Sequence, residues 1–239
     1  MSARLSSLPV LAAAALVVLS GCASTPTTEP TALAPTEDVV EIEADAAWLD
    51  GGRMIGLVTW GSSSCVPTVE DTAMLDNGTL VVSLLEPEEG TACTRDLAPR
   101  ATLVDVPEAV DPTQDLEIEV TGSGIMGDAE LDGVAGLASG GETDYLPSAG
   151  WVDDDGMFVV LTWGSSGCPP VLQDAVATGP AEVTVTFENP PADQVCTADM
   201  APRSTLVTVD GVEEDAGAVA ILTGSSEFAD VRVDIIGGD

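Results

Sequence analysis

Thr59-Trp60-Gly61-Ser62-Ser63-Ser64-Cys65 is followed, 103 positions later, by Thr162-Trp163-Gly164-Ser165-Ser166-Gly167-Cys168. The two heptapeptides differ at one position, and the same offset holds on either side of them. Cys93-Thr94-Arg95-Asp96-Leu97-Ala98-Pro99-Arg100 recurs as Cys196-Thr197-Ala198-Asp199-Met200-Ala201-Pro202-Arg203, and Trp48 matches Trp151. Farther on the offset becomes 102, where Thr121-Gly122-Ser123 matches Thr223-Gly224-Ser225. So many matches in one register mark an internal duplication. Two copies are too few for a solenoid, so tandem domains are the reading. Repeat 1 covers residues 38–135, a Gly-, Ala- and Ser-rich linker covers 136–148, and repeat 2 covers 149–239.

Each copy reads as strand throughout. Arg53 to Trp60 and Met157 to Trp163 are continuous apolar runs, the pattern of buried strands. Thr68 to Leu75 and Leu80 to Leu85 flank Asp76-Asn77-Gly78, whose Asn-Gly suits the positive φ values of a type I′ hairpin turn. Ala101 to Val106, Leu116 to Val120 and their copies add further strands, and Val231 to Ile236 closes the chain. Some six short strands per copy predict an all-β fold: two tandem, homologous, small antiparallel β-sandwich or barrel-like domains.

The cysteines are five, an odd number. Cys65 and Cys93 are 28 positions apart, as are Cys168 and Cys196. Four cysteines permit three pairings. Duplication favours the local one, with one disulfide inside each domain, because the ancestral unit had to fold with its own two cysteines. The fifth, Cys22, follows a secretion-signal pattern. Arg4 supplies the charged start, and the apolar run from Leu8 to Leu19 is too short to span a bilayer. Leu19-Ser20-Gly21-Cys22 resembles the lipobox of bacterial lipoproteins, in which the signal (here residues 1–21) is cut before the cysteine and that cysteine is diacylated. The resemblance implies lipidation at Cys22 and anchorage to the outer face of the cell membrane, since acyl burial holds the chain there. Residues 22–37, rich in Thr, Pro, Ser and Ala, read as an extended tether. The absence of Lys beside abundant Ala, Val, Asp and Thr resembles proteins of high-GC Gram-positive bacteria. The repeated motifs resemble segments of secreted lipoproteins of such organisms, a likeness that carries no activity over.

Composition excludes much chemistry. There are 239 residues with 41 acids, six Arg, no Lys and no His, for a formal charge of -35. Ser-His-Asp, Cys-His and Ser-Lys catalysis have no members to draw on. Nucleic acid is not an expected partner, because binding it rests on cations displacing phosphate counterions. Hydrophobic residues make up 45% of the chain, too many for a disordered acidic polymer. No catalytic signature appears, and the chain is read as a non-enzyme.

The candidate site residues are few. Arg100 and Arg203 are matched, and read either as anion anchors or as ion pairs to Asp96 and Asp199, or to Asp71 and Asp174. Trp60 and Trp163 are expected to pack near the disulfides, with sugar stacking as the functional alternative. Trp48 and Trp151, at the start of each copy, are expected to be partly exposed. Asp153-Asp154-Asp155 could hold Ca²⁺, the one cofactor the sequence suggests, as could Glu142 with Asp144. Asp128 to Gly133 resembles the first half of an EF-hand loop but has Ser139 at position twelve. The expected function is a non-enzymatic binding or structural module of the cell envelope, with an envelope protein or glycan as partner. The alternatives are a Ca²⁺ or cationic-ligand binder and a carboxylate-based glycan hydrolase.

Overall fold

The continuous apolar run ending at Trp60 forms a strand buried on both faces, and the architecture follows from that. A computed structural model describes residues 39–237 apart from 89, 153–154 and 214–216. Cys22 and the signal and tether segments therefore lie outside the described residues. The fold is all-β, with 50% strand and 2% helix. Copy 1 runs β1 (Val40–Glu41), β2 (Ala44–Leu49), β3 (Met54–Gly61), β4 (Thr68–Met74), β5 (Leu80–Leu85), β6 (Ala98–Asp105), β7 (Leu116–Gly122) and β8 (Ile125–Leu131). Copy 2 runs β9 (Ser148–Trp151), β10 (Met157–Gly164), β11 (Leu172–Gly179), β12 (Glu182–Phe187), β13 (Ala201–Thr208), β14 (Val219–Thr223) and β15 (Val231–Ile236).

In copy 1, β2-β3-β6 form one antiparallel sheet and β1-β8-β7-β5-β4 a second. In copy 2 the equivalent strands join into a single seven-stranded sheet, ordered β11-β12-β14-β15-β9-β10-β13. The end of β15 makes that join by pairing with β9. The expected purely antiparallel pairing does not hold. β5 pairs with β7 in parallel, and β12 with β14. The reason lies in the connection: β6 and β13 leave for the other layer between them, and a strand that returns from a crossover re-enters parallel.

Inside each copy the strands alternate. Leu80, Val82 and Leu84 of β5 and Leu116, Ile118 and Val120 of β7 meet Trp48, Ile55, Leu57 and Val104 in one cluster. Val183, Val185 and Phe187 meet Phe158, Val160 and Val207 in the other. The opposite faces of β2, β3 and β10 carry a third cluster, built from Ala47, Leu49, Met54, Val58, Val159 and Leu161. It belongs to both copies. Gly56 lies against Val159, Gly150 lies against Ala47, and Ser204 Oγ donates to Ala101 O at 3.2 Å. Each of those pairs is a residue and its own duplicate, 103 positions apart. Equivalent positions meet across a two-fold axis in an isologous interface. The copies are therefore packed like a symmetric dimer joined into one chain. The described residues form one compact unit. The whole reads as a β-solenoid, against the expectation that two copies are too few to form one.

The segment 136–148 lies across copy 1. Ala138 N donates to Gly51 O at 2.9 Å, and Ser139 Oγ donates to Val110 O at 2.6 Å. Two other expectations change. The Asp76-Asn77-Gly78 loop is not type I′, because Gly78 has φ of 95° while Asn77 is absent from the positive-φ residues. Gly78 N donates to Leu75 O and Leu75 N to Thr79 O. That is a three-residue loop, a type I turn closed by glycine in the left-handed region. Asp128 to Leu131, read as part of an EF-hand-like loop, is strand β8. There Asp128 stands opposite Glu119, and Glu130 opposite Glu117, all on paired backbone.

Candidate functional site

Both copies close the local disulfide, Cys65–Cys93 and Cys168–Cys196, with Cα atoms 5.6 and 5.4 Å apart. These bonds place the folded part in an oxidising, extracytoplasmic setting. Among the described residues no helix is long and apolar enough to cross a membrane. The repeated motifs meet at the disulfides. Ser62 Oγ lies 2.8 Å from Thr94 Oγ1, Thr94 N donates to Ser64 Oγ at 3.0 Å, and Ser63 N donates to Asp96 Oδ1 at 3.2 Å. In copy 2, Ser165 Oγ is 2.8 Å from Thr197 Oγ1, and Ser166 N donates to Asp199 Oδ1 at 3.1 Å. The hydroxyls bond one another and the aspartates, which braces the two arms of the cross-linked loop.

The bracing leaves an electrostatic mark. Hydrogen bonds from the Ser63 and Thr94 hydroxyls, then from the Ser63 amide, lower Asp96 from 3.8 to about 2. Ser166 and Thr197 do the same for Asp199, also to about 2. A carboxylate depressed in the folded state contributes stability that is present above its unfolded pKa and lost as pH falls through the folded value. Melting temperature should therefore fall between about pH 4 and about pH 2 through these two groups. The Asp96→Asn, Asp199→Asn double variant should show a flatter acid limb in that window. Identical limbs for variant and parent would show that the loops do not hold these carboxylates ionised.

Arg100 and Arg203 point inward, under the Trp-Gly ends of β3 and β10. A β-carbon at Gly61 would lie 2.5 Å from the Arg100 guanidinium carbon, and one at Gly164 would lie 2.8 Å from that of Arg203. This close approach explains the glycine that follows each of these tryptophans. Arg100 donates to the Cys65 carbonyl, and Arg203 to the carbonyls of Cys168 and Trp163 at 3.2 and 3.0 Å. Their ion-pair partners are Glu86 at 3.1 Å and Glu227 at 3.1 Å, in place of the expected Asp96, Asp199, Asp71 or Asp174. Asp96 and Asp199 bond to the loop amides instead. Glu86 follows β5, whereas Glu227 precedes β15, so the copies share the cation and differ in its carboxylate. With side chains 9% and 3% exposed, both guanidinia are built into the fold.

The tryptophans at the start of each copy are buried, against the expectation of partial exposure. Trp48 and Trp151 are core residues, 2% and 5% exposed. Trp48 Nε1 donates to Asp132 O at 2.9 Å, and Trp151 packs edge-on against Phe158. They face inward because β2 and β9 turn them toward the core cluster of their own copy, on strands that the small residues Ala44, Ala46 and Ala149 disguise in the sequence. Trp60 and Trp163 are the half-buried pair, and both pack on the shared cluster between the copies.

Trp163 also lines a cleft of about 320 Å³ at the junction of the copies, with Asp50, Arg53, Asp105, Glu108 and Thr143. Asp50, 4% exposed, has φ of 49° and is gripped from every side. Arg53 donates to both its carboxylate oxygens at 3.0 Å, Thr143 Oγ1 donates to Oδ1 at 3.1 Å, and the Asp50 amide donates to Ser148 Oγ at 2.8 Å. Apart from Trp163, these residues are inconspicuous in the sequence because they belong to none of the repeated motifs. The usable signal was divergence: at the matched offset Arg53 becomes Gly156 and Asp105 becomes Thr208.

Of the acidic residues read as Ca²⁺ ligands, Asp153 and Asp154 lie outside the described residues. Asp155 follows them at the turn into β10, while Asp144 caps its own loop by accepting from Leu146 N at 3.1 Å. Among the described residues no three His, Cys, Asp or Glu side chains are grouped to hold a metal ion. No family model, curated protein or solved structure matches the chain.

Proposed function

We propose that this chain is a lipid-anchored, extracytoplasmic binding module that performs no covalent chemistry. The observation that carries the reading is the pair of intra-repeat disulfides, which assign four cysteines to the fold and leave Cys22 for the lipid. The oxidising setting that those bonds imply is the one a lipobox would deliver the chain to. Each copy would be a small β-sandwich stapled by its own disulfide, and residues 22–37 would hold the paired copies off the membrane surface. The binding reading is supported by the cleft at the junction of the copies. The non-enzymatic reading is supported by the serines of the repeated motif, whose neighbours are hydroxyls and carboxylates and include no base of the His or Lys kind.

The anchor is tested by Cys22→Ala. The wild-type chain should fractionate with membranes and show a diacylglyceryl adduct on Cys22 by mass spectrometry. The variant should lose both. A variant that stays with membranes, or a parent without the adduct, would end the anchored reading.

A further inference from the structure

The geometry points to the Asp50–Trp163 cleft as a binding site for one unit of an uncharged saccharide, an assignment that rests on the reading of the chain as a binding module. The cleft, about 320 Å³, is at the small end of ligand pockets. Its walls are of two kinds. Copy 2 contributes the half-buried indole of Trp163, fixed edge-on against Tyr145 with ring centroids 5.1 Å apart. Copy 1 contributes polar groups. Arg53 uses Nε and Nη2 on Asp50, and its Nη1 makes no hydrogen bond among the described residues, while the charge of Asp144 also acts on the guanidinium. Asp105 and Glu108, both exposed, accept no hydrogen bond among the described residues.

That inventory selects a ligand class. Free donors on Arg53 and free acceptors on Asp105 and Glu108 match groups that both donate and accept, as hydroxyls do. A flat aromatic ring matches the C–H face of a pyranose. An anion would meet Asp105, Glu108 and a chain of formal charge -35. Arg53 is already neutralised by Asp50, so the hydroxyl match and the aromatic wall are what favour a neutral ligand over a cation. The grip on Asp50 fixes the Arg53 fork before any ligand arrives, which lowers the ordering cost of binding.

The duplication supplies an internal control. The framework of the cleft is kept in both copies: Met54 and Val106 match Met157 and Val209, and Trp163 matches Trp60. The bond from Val106 N to Arg53 O, 3.0 Å, recurs as Val209 N to Gly156 O, 3.0 Å. That one bond therefore forms without Arg53 or Asp105, although the backbone at the matched position differs, with φ of -86° at Arg53 and 82° at Gly156. Of the two copies, only copy 1 carries these two polar groups, at the cleft that Trp163 lines.

The test uses the full-length protein in a non-glycosidic detergent, with saturation-transfer NMR and tryptophan fluorescence as readouts. The probes are gluco-, manno-, galacto-, arabino- and N-acetylglucosamine oligosaccharides, with glucuronate, glucosamine and spermidine as charged controls. At least one neutral saccharide should bind, and binding should be lost in Trp163→Ala and retained in Trp60→Ala. Arg53→Gly with Asp105→Thr, the residues of copy 2, should weaken binding about tenfold or more, the effect of losing hydrogen bonds to charged groups. Asp105→Thr alone changes an exposed side chain and serves if the double variant misfolds. Silence from every neutral saccharide, or binding that survives Trp163→Ala, would overturn the assignment. Preference for a charged control would overturn the saccharide while leaving the binding-module reading in place.

Discussion

Gly150→Val is expected to destabilise the whole protein by more than about 3 kcal/mol, near the upper range for overpacking. That corresponds to a fall of about 10 °C in Tm for a chain of this size. Gly150 sits in the middle of β9, where it faces copy 1. A β-carbon there would overlap the Trp48 carbonyl oxygen and press on Ala47 Cβ at 3.2 Å. The first obstacle is backbone on a strand already paired with β3, so it has little room to give. Gly56→Ala, across the same seam, should cost less. Its new methyl would meet Leu49 Cδ1 at 3.0 Å and Val159 methyls at 3.1 Å, which are side chains able to shift. Gly140→Ala meets nothing within 4 Å and should leave Tm nearly unchanged. The series separates two pictures of the duplication. If the copies were independent beads, Gly150 would face solvent and valine there would be harmless, or even favourable in a strand. Thermal unfolding of the three variants by circular dichroism decides it, and a Gly150→Val melt within a degree or two of wild type would remove the shared seam.

The seam also marks where the sequence could be read and where it could not. Strands whose outer face meets water were legible from alternation or from a short aliphatic run beside a turn signal. Leu80 to Leu85 and Val231 to Ile236 have the bounds read from the pattern alone. β3 and β10 were legible as buried strands because Met54 to Val58 and Phe158 to Leu161 are apolar at every position. What that pattern could not say is which partner covers the second face. β2 and β9 were missed, since Ala-Asp-Ala-Ala and Ser-Ala-Gly have weak β propensity and are strands only because two layers enclose them. Small residues there are what allow the copies to approach. At the site, the matched motifs drew attention to Arg100 and Arg203, and structure shows why both copies keep them: each guanidinium ties its disulfide loop to the sheet. Apart from Trp163, repetition in this chain marks scaffold. The cleft residues Arg53 and Asp105 are unmatched, so a search for repeated motifs passes over them.

Removing both disulfides should destabilise the chain more than any of these glycine substitutions. In the chain-entropy model, a cross-link closing a loop of this length stabilises by about 3.5 kcal/mol. Cys65→Ala with Cys93→Ala should thus lower Tm by about 10 °C. Loss of both disulfides should cost about 7 kcal/mol, which is within the total stability of an ordinary domain, about 5–15 kcal/mol. The quadruple variant is therefore expected to be largely unfolded or strongly destabilised at room temperature. Two features refine the comparison between the copies. The second loop contains Pro169, Pro170, Pro180, Pro190 and Pro191, against Pro67 and Pro87 in the first. Prolines already restrict the unfolded chain, so a cross-link has less entropy to remove there. The Cys65–Cys93 pair should therefore contribute more than Cys168–Cys196. The shape of the transition carries the second point. Because Leu49, Val58, Val159 and Leu161 form one cluster from both copies, deleting either disulfide should move a single unfolding transition. Two separated transitions, with the copy that keeps its disulfide melting at the parent temperature, would mean that the shared cluster does not couple the copies. Calorimetry on the two double-alanine variants gives both answers in one experiment.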